Sequence, residues 1–233
     1  MPIPFLTAEW RSLAMLNYSV EPGLLEPFVP AGLELDLFDG VAYVSLVGFL
    51  FLDCRVMGVP VPLHRNFEEV NLRFYVVRRI GGELRRGVVF LKEIVPRAAI
   101  AWTARAFYNE PYTAMPMRHA AEPRRVGYGW KSSRRWHSFD VDLEGEPALA
   151  EEGSEQEFIT EHYWGYCAQR DGGCVEYRVD HPRWKIWTVA ASTIEVDFAE
   201  IYGERFAPSL QASPSSAFVA DGSAISVGWP QRI

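Results

Sequence analysis

From Glu69 to Val76 polar and apolar side chains alternate without a break: Glu69, Asn71, Arg73 and Tyr75 against Val70, Leu72, Phe74 and Val76. A period of two places each set on one face of an extended strand, and no helix accommodates it. The strand reads from Phe67 to Arg79. Gly81-Gly82 supplies a turn, and Arg86 to Val95 forms the hairpin partner, which Pro96 ends. An antiparallel sheet with one wet face accounts for this alternation in full. A sheet closed on itself would instead turn the polar face into a pocket wall, with a buried Glu beside a buried Arg as an acid–base or carboxylate-binding pair.

The remaining signals are mostly those of strands. Ala8 to Val20 reads as strand or short helix, and Leu24 to Val29 as a helical turn stopped by Pro30. Leu33 to Leu37 reads as a strand that turns at Phe38-Asp39-Gly40 into Val41 to Phe51, a hairpin. Cys54 to Leu63, with Pro60 and Pro62, reads as a loop, and Ala98 to Tyr108 as a helix broken by Pro111. A hairpin turning near Gly127-Tyr128-Gly129 is expected between Met117 and Asp142, and another at Asp171-Gly172-Gly173. Trp184 to Phe198 reads as a strand, Ala199 to Phe206 as a short helix, and Ala217 to Trp229 as a strand pair around Asp221-Gly222. About ten strands with two or three helices predict an α+β protein dominated by antiparallel sheet, curled into a barrel or sandwich. No repeat or linker divides the chain, so residues 1–233 read as one domain.

Composition removes several functions. A net charge of −7 argues against bulk nucleic-acid binding. Tyr128, Trp130 and Trp136 could form a stacking platform for single strands, but basic 118–135 and acidic 140–161 more simply neutralise each other across a sheet. No apolar run reaches the ~18 residues of a membrane span. The N-terminus lacks a basic-then-apolar signal, and Cys54, Cys167 and Cys174 read as reduced, buried thiols of a cytoplasmic protein. His64, His119, His137, His162 and His181 lack paired metal-ligand spacing, and no Gly-rich phosphate loop, nucleophile elbow or dinucleotide fingerprint occurs. Neither metal nor cofactor is therefore expected. Lys92 alternates with Val88 and Phe90, so an apolar face could carry its amine into a desolvated, Schiff-base-competent site; at a strand end its head would lie in water.

Several stretches resemble the bacterial DUF2071, or YqjF-like, family. They are Glu21-Pro22-Gly23-Leu24-Leu25 to Val29-Pro30, Phe67 to Arg73, Ala104-Arg105 to Tyr112, Phe158 to Tyr163, and Asp180 to Trp184. The resemblance implies an acetoacetate decarboxylase-like fold: a closed, cone-shaped antiparallel β-barrel with an internal pocket. It implies that the Glu69 strand supplies a pocket glutamate and that Arg105 is the arginine of a segment that in the decarboxylases precedes two lysines, the second of which lowers the pKa of the first by charge repulsion. Here those positions are Tyr112 and Thr113, which cannot form an imine, so the decarboxylase mechanism is not implied.

Three functional readings follow. In the first, a barrel binds a small carbonyl or carboxylate compound and performs acid–base chemistry on it. Glu69 is then acid or base, Arg73 or Arg105 the anion clamp and Tyr112 a hydrogen-bond donor, with Asn71, Tyr75, Thr113 and His64 as further substrate-binding candidates. In the second, Lys92 supplies a Schiff-base amine. In the third, the protein is a non-catalytic ligand-sensing or structural barrel whose polar strand face is solvated or buried between copies in a homo-oligomer. The residues do not decide whether the chain is an enzyme, and they do not name the ligand.

Overall fold

A computed structural model describes residues 3–102 and 109–233. In chain order its strands are β1 (Leu6–Val20), β2 (Glu34–Leu35), β3 (Ala42–Val56), β4 (Val59–Pro60), β5 (Phe67–Ile80), β6 (Glu83–Val95), β7 (Tyr112–Ala114) and β8 (Met117–Glu122). They continue with β9 (Arg125–Lys131), β10 (Trp136–Leu149), β11 (Trp164–Ala168), β12 (Cys174–Asp180), β13 (Lys185–Glu195), β14 (Ser216–Val227) and β15 (Gln231–Arg232). The helices are α1 (Pro22–Leu25), α2 (helical from 98, described through 102), α3 (Glu155–Thr160), α4 (Phe198–Tyr202) and α5 (Ala207–Leu210). Ser154 caps α3 by accepting from the Glu157 amide, and Asp197 caps α4 by accepting from that of Glu200.

The strands form one mostly antiparallel sheet, in which β12, β11, β6, β5, β3, β1 and β14 are successive neighbours. β14 also pairs back to β12 through Val227–Val179 and Ser226–Asp180. From β14 the sheet continues through β13, β10, β9 and β8, and residues of β9 and β10 cover one face of β1, β3 and β5. The shared strands are therefore buried on both sides. Leu46, Val70, Leu72 and Phe74 pack with Tyr128, Trp130, Phe139 and helical residues such as Phe198, whereas Val47, Phe49, Phe67 and Val88 belong to a second core on the opposite face. This double burial explains why Ala42 to Leu50 is apolar almost throughout.

Several expectations hold: the β5–β6 hairpin across Gly81-Gly82, the β11–β12 hairpin across Asp171-Gly172-Gly173, the turn at 38–41 and the three buried free thiols. Others need correction. β2 pairs with β5 and not with β3, so the hairpin expected at Asp39-Gly40 shrinks to one Phe38–Val41 bridge. Part of the expected loop after Cys54 is strand, because β3 runs on to Val56 and pairs with β4. Gly127 and Gly129 lie within β9, where a Cβ on Gly127 would strike the Asp140 carboxylate; their smallness serves cross-strand packing and not a turn. Asp221-Gly222 likewise lies within β14, a single strand. Gly222 adopts φ +79° where the Trp10 carbonyl of β1 presses so close that no side chain fits. The helix expected at 98–108 is described only to 102.

The layers approach closely at Gly48 of β3. A Cβ there would overlap the Tyr128 ring and lie 2.8 Å from Phe139 Cζ. Tyr128 has no room to retreat, since it is fully buried and donates a 2.8 Å hydrogen bond to the Ser12 carbonyl. Gly48→Ala should therefore destabilise the protein by roughly 1–3 kcal/mol, read as a lowered urea midpoint at unchanged slope. An unchanged midpoint would show that the layers are not packed this closely.

Candidate functional site

The inner face of the β5–β6 pair borders a cavity of about 270 Å³ whose lining includes Glu69, Asn71, Arg73, Glu93, Glu110 and Tyr112. The alternation of β5 turns Glu69, Asn71 and Arg73 inward, while Val70, Leu72 and Phe74 enter the other core. The wet-face reading of the sequence is thus corrected: Glu69 and Asn71 are each only 2% exposed, because the sheet folds over both faces of the strand.

In β6 the alternation is broken. Asn71 lies opposite Glu93 and Leu72 opposite Lys92, yet Arg73 lies opposite Phe90, so Leu91 is an extra residue, a β-bulge. Val88 and Phe90 face the cavity, and after the bulge Glu93 does so in place of Lys92. Lys92 goes to the other face, where its ammonium donates to the Ile201 carbonyl of α4 and burial lowers its pKa. The structure therefore does not bring Lys92 to the cavity.

Beyond Glu93, β7 runs parallel to β6 and sets Tyr112 beside Glu93 and Thr113 beside Ile94. Parallel neighbours share a face, so Tyr112 reaches the cavity, while Thr113 lies beside Ile94, which is buried in the outer core. Tyr75 is buried and does not line the cavity; its hydroxyl is 2.6 Å from Ser45 Oγ and its ring lies against His162. His64 lines the cavity with its Nδ1 2.8 Å from the Pro62 carbonyl. Arg105 lies outside the described residues.

The electrostatic centre is a group of three buried carboxyls. Glu69 accepts from Asn71 Nδ2 at 3.0 Å and from the Tyr112 hydroxyl at 2.9 Å; Glu110 accepts from the Tyr177 hydroxyl at 2.8 Å. Burial pushes the Glu69 carboxyl up to about 7 despite those two bonds and the nearby Arg73 guanidinium. Burial likewise pushes Glu110 up to about 8, against hydrogen bonds from Tyr177 and Cys167. Glu93 is raised well above the ordinary carboxylate range by burial and then by the charges of Glu110 and Glu69. The hydroxyls of Tyr112 and Tyr177 are raised by burial first and by these carboxylates second, so both stay protonated and act as donors. The Tyr177 ring lies over Gly165 of β11, where any Cβ would collide with it; that glycine lets the tyrosine reach Glu110.

Further along the cavity, the basic and imidazole groups gather. Arg73 reaches Met15 Sδ at 3.8 Å and stands 5.7 Å from the Tyr75 ring centroid. His162, 7% exposed, places Nε2 3.1 Å from Asp36 Oδ2, and Arg86 Nε holds the same oxygen at 2.7 Å. Burial works against ionisation of Asp36, but the His162 and Arg86 bonds outweigh it and hold the carboxyl below its ordinary value. Burial lowers the His162 pKa, so a neutral imidazole facing a carboxylate must carry its proton on Nε2, leaving Nδ1 as an acceptor. His162, Glu93, Glu110 and Tyr177 were not singled out from the sequence as site residues. Three lie far along the chain from β5, and the bulge that turns Glu93 inward leaves no sequence signal. Among the described residues no group of three His, Cys, Asp or Glu side chains has metal-binding geometry.

Comparison with known proteins places this arrangement. The DUF2071 family, described as an uncharacterized conserved protein, matches residues 7–224. The uncharacterized protein YqjF of Bacillus subtilis strain 168 is 27% identical over 178 residues, which is 74% of this chain and 72% of that protein. Among solved structures, acetoacetate decarboxylase from Legionella pneumophila superposes with a TM-score of 0.70 at 13% identity, covering 100% of this chain and 88% of the other. The enduracididine biosynthesis enzyme MppR, complexed with pyruvate, gives 0.66 at 13% identity, covering 100% and 91%. These two likenesses are likenesses of fold. By its match over residues 7–224, the chain belongs to the DUF2071 family.

Proposed function

We propose that the chain is a single domain whose sheet closes as a β-barrel around the cavity, and that the cavity binds a small carbonyl or carboxylate compound. Closure is supported by the return pairing of β14 to β12. A volume of about 270 Å³ lies just below the ~300–1,000 Å³ of drug-sized sites, which suits a metabolite of modest size. In this reading Arg73 clamps an anionic or carbonyl oxygen, Tyr112 donates to a developing oxyanion, and Glu69 moves the proton. Arg105 is a second candidate clamp. The observation that carries the proposal is Glu69 itself: buried, oriented by Asn71 and Tyr112, and poised at about 7, where acid and base forms are both populated at neutral pH. That MppR is complexed with pyruvate shows a carbonyl compound in a protein of similar fold and supports the choice of probe.

Exchange of the pyruvate methyl protons with D2O, followed by NMR, tests the proton-transfer role. The protein should accelerate exchange, Glu69→Gln should reduce that acceleration by about 10²-fold or more, and Arg73→Met should weaken pyruvate binding at least tenfold. Binding that Arg73→Met weakens, without any exchange, would leave a ligand-sensing protein and remove the catalytic part.

The raised carboxyls also set a pH dependence of stability. The folded state holds these protons more tightly than the unfolded chain. Their contribution is therefore complete below about pH 4.5 and is lost as pH rises through the folded values of about 7 and 8. Glu69→Gln should match the native protein at pH 4 to 5 and exceed its stability at pH 9 by a margin on the order of 3 kcal/mol. Equal stabilities at both pH values would contradict the raised Glu69 pKa.

A further inference from the structure

Among the described residues, eight buried side-chain polar atoms have no hydrogen-bond partner, and five of them belong to residues that line one cavity. Asn71 Oδ1, Glu93 Oε2, Arg73 Nε, His162 Nδ1 and Trp10 Nε1 all belong to residues that line it. Asn71 and Glu93 are each 2% exposed and His162 is 7% exposed. An unpaired polar group in such a place loses its hydration without compensation, so concentration of unmet bonding capacity around one void is a template for a ligand's polar groups.

The template is polarised. Asn71 and Glu93 sit opposite each other across β5 and β6, and their unpaired atoms are both oxygens. Glu69 and Glu110 add two further buried carboxyls to the same region; their charges raise the cost of ionising Glu93, and that of Glu69 raises the cost of ionising Glu110. An ammonium at that end would let Glu93 give up its proton, so that its carboxylate and the Asn71 carbonyl both accept from the bound cation. One inward step along β5 stands Arg73, a fixed positive charge with an unpaired donor. That position calls for an anionic acceptor. Asn71 and Arg73 are two residues apart on β5, so their backbones stand roughly 6.7 Å apart on the same face.

We infer that the cavity takes a small zwitterion, an ω-amino carboxylate whose ammonium lies at Glu93 and Asn71 and whose carboxylate lies at Arg73. This rests on the reading of the cavity as a ligand site and narrows the ligand class. A carboxylate alone leaves the Glu93 end unpaired, and an amine alone leaves Arg73 unpaired. Chains of four to six carbons bracket a separation of that order, and the titration below compares them.

Calorimetric titration at pH 8 with 4-aminobutanoate, 5-aminopentanoate, 6-aminohexanoate, pentanoate and pentylamine tests the inference. At least one amino acid should bind tenfold or more tightly than both single-charge analogues. Glu93→Gln should reduce its advantage over pentanoate to within about twofold while leaving pentanoate affinity in place. Arg73→Met should weaken the amino acids and pentanoate alike. Thermal unfolding of each variant without ligand, beside its titration, establishes that it is folded. Pentanoate binding as tightly as the amino acids, with sensitivity to Arg73→Met, would overturn the zwitterion and keep the anion-binding cavity. An advantage that survives in Glu93→Gln would overturn the assigned cation position. Binding of none of the five, together with no binding of pyruvate, would overturn the cavity as a ligand site of either kind.

Discussion

Three carboxyl groups share a space from which water is largely removed, and that crowding governs the site. Glu69, Glu93 and Glu110 resist ionising together at neutral pH, since each buried charge would lose its hydration, and the Arg73 guanidinium offsets only part of that loss at Glu69. The structure answers with protons and donors. Asn71 and Tyr112 hold Glu69, Tyr177 holds Glu110, and the acid forms are retained to pH values unusual for carboxyls. A carboxyl that keeps its proton to about pH 7 can give it or take it back at small expense, which is the property acid–base chemistry uses.

Keeping that group dry requires cover on both faces of the same strands. The β13–β10–β9–β8 extension and the α4–α5 segment cover the outer face, and the β1–β3–β5–β6 inner face closes over aromatic and aliphatic side chains around the cavity. Gly48 and Gly165 are two points where this construction leaves no room for a side chain, the first admitting Tyr128 between layers and the second admitting Tyr177 to the site. Lys92 shows the converse. Its amine is spent on the Ile201 carbonyl of the outer layer, and the cavity receives no lysine from β6.

Much of this was legible in the sequence where one physical rule dominated. The alternation of Glu69, Asn71, Arg73 and Tyr75 specified an extended strand with a polar face, and Gly81-Gly82 specified its hairpin, because both patterns are local. The sequence could not say that the polar face is buried, since wet and enclosed faces have the same alternation. Gly127, Gly129 and Gly222 read as turns but are points of close approach, a role that depends on which neighbour arrives. The bulge at Leu91 exchanged Lys92 for Glu93 in the cavity, and nothing in the order of residues around it signals that change of parity. The family resemblance, carried by the segments around Glu21, Phe67, Asp180 and the residues before Tyr112, supplied the relation to the acetoacetate decarboxylase fold that periodicity alone left open.

The central claim is that Glu69 is enclosed and holds its proton to near neutrality. Carbon-13 NMR of the glutamate side-chain carboxyls, assigned with Glu69→Gln and Glu110→Gln and followed from pH 3 to pH 10, measures this directly. The account predicts that the Glu69 carboxyl titrates at about 7 and the Glu110 carboxyl at about 8. A Glu69 resonance that titrates near 4.5, with the solvent-exposed glutamates, would contradict it.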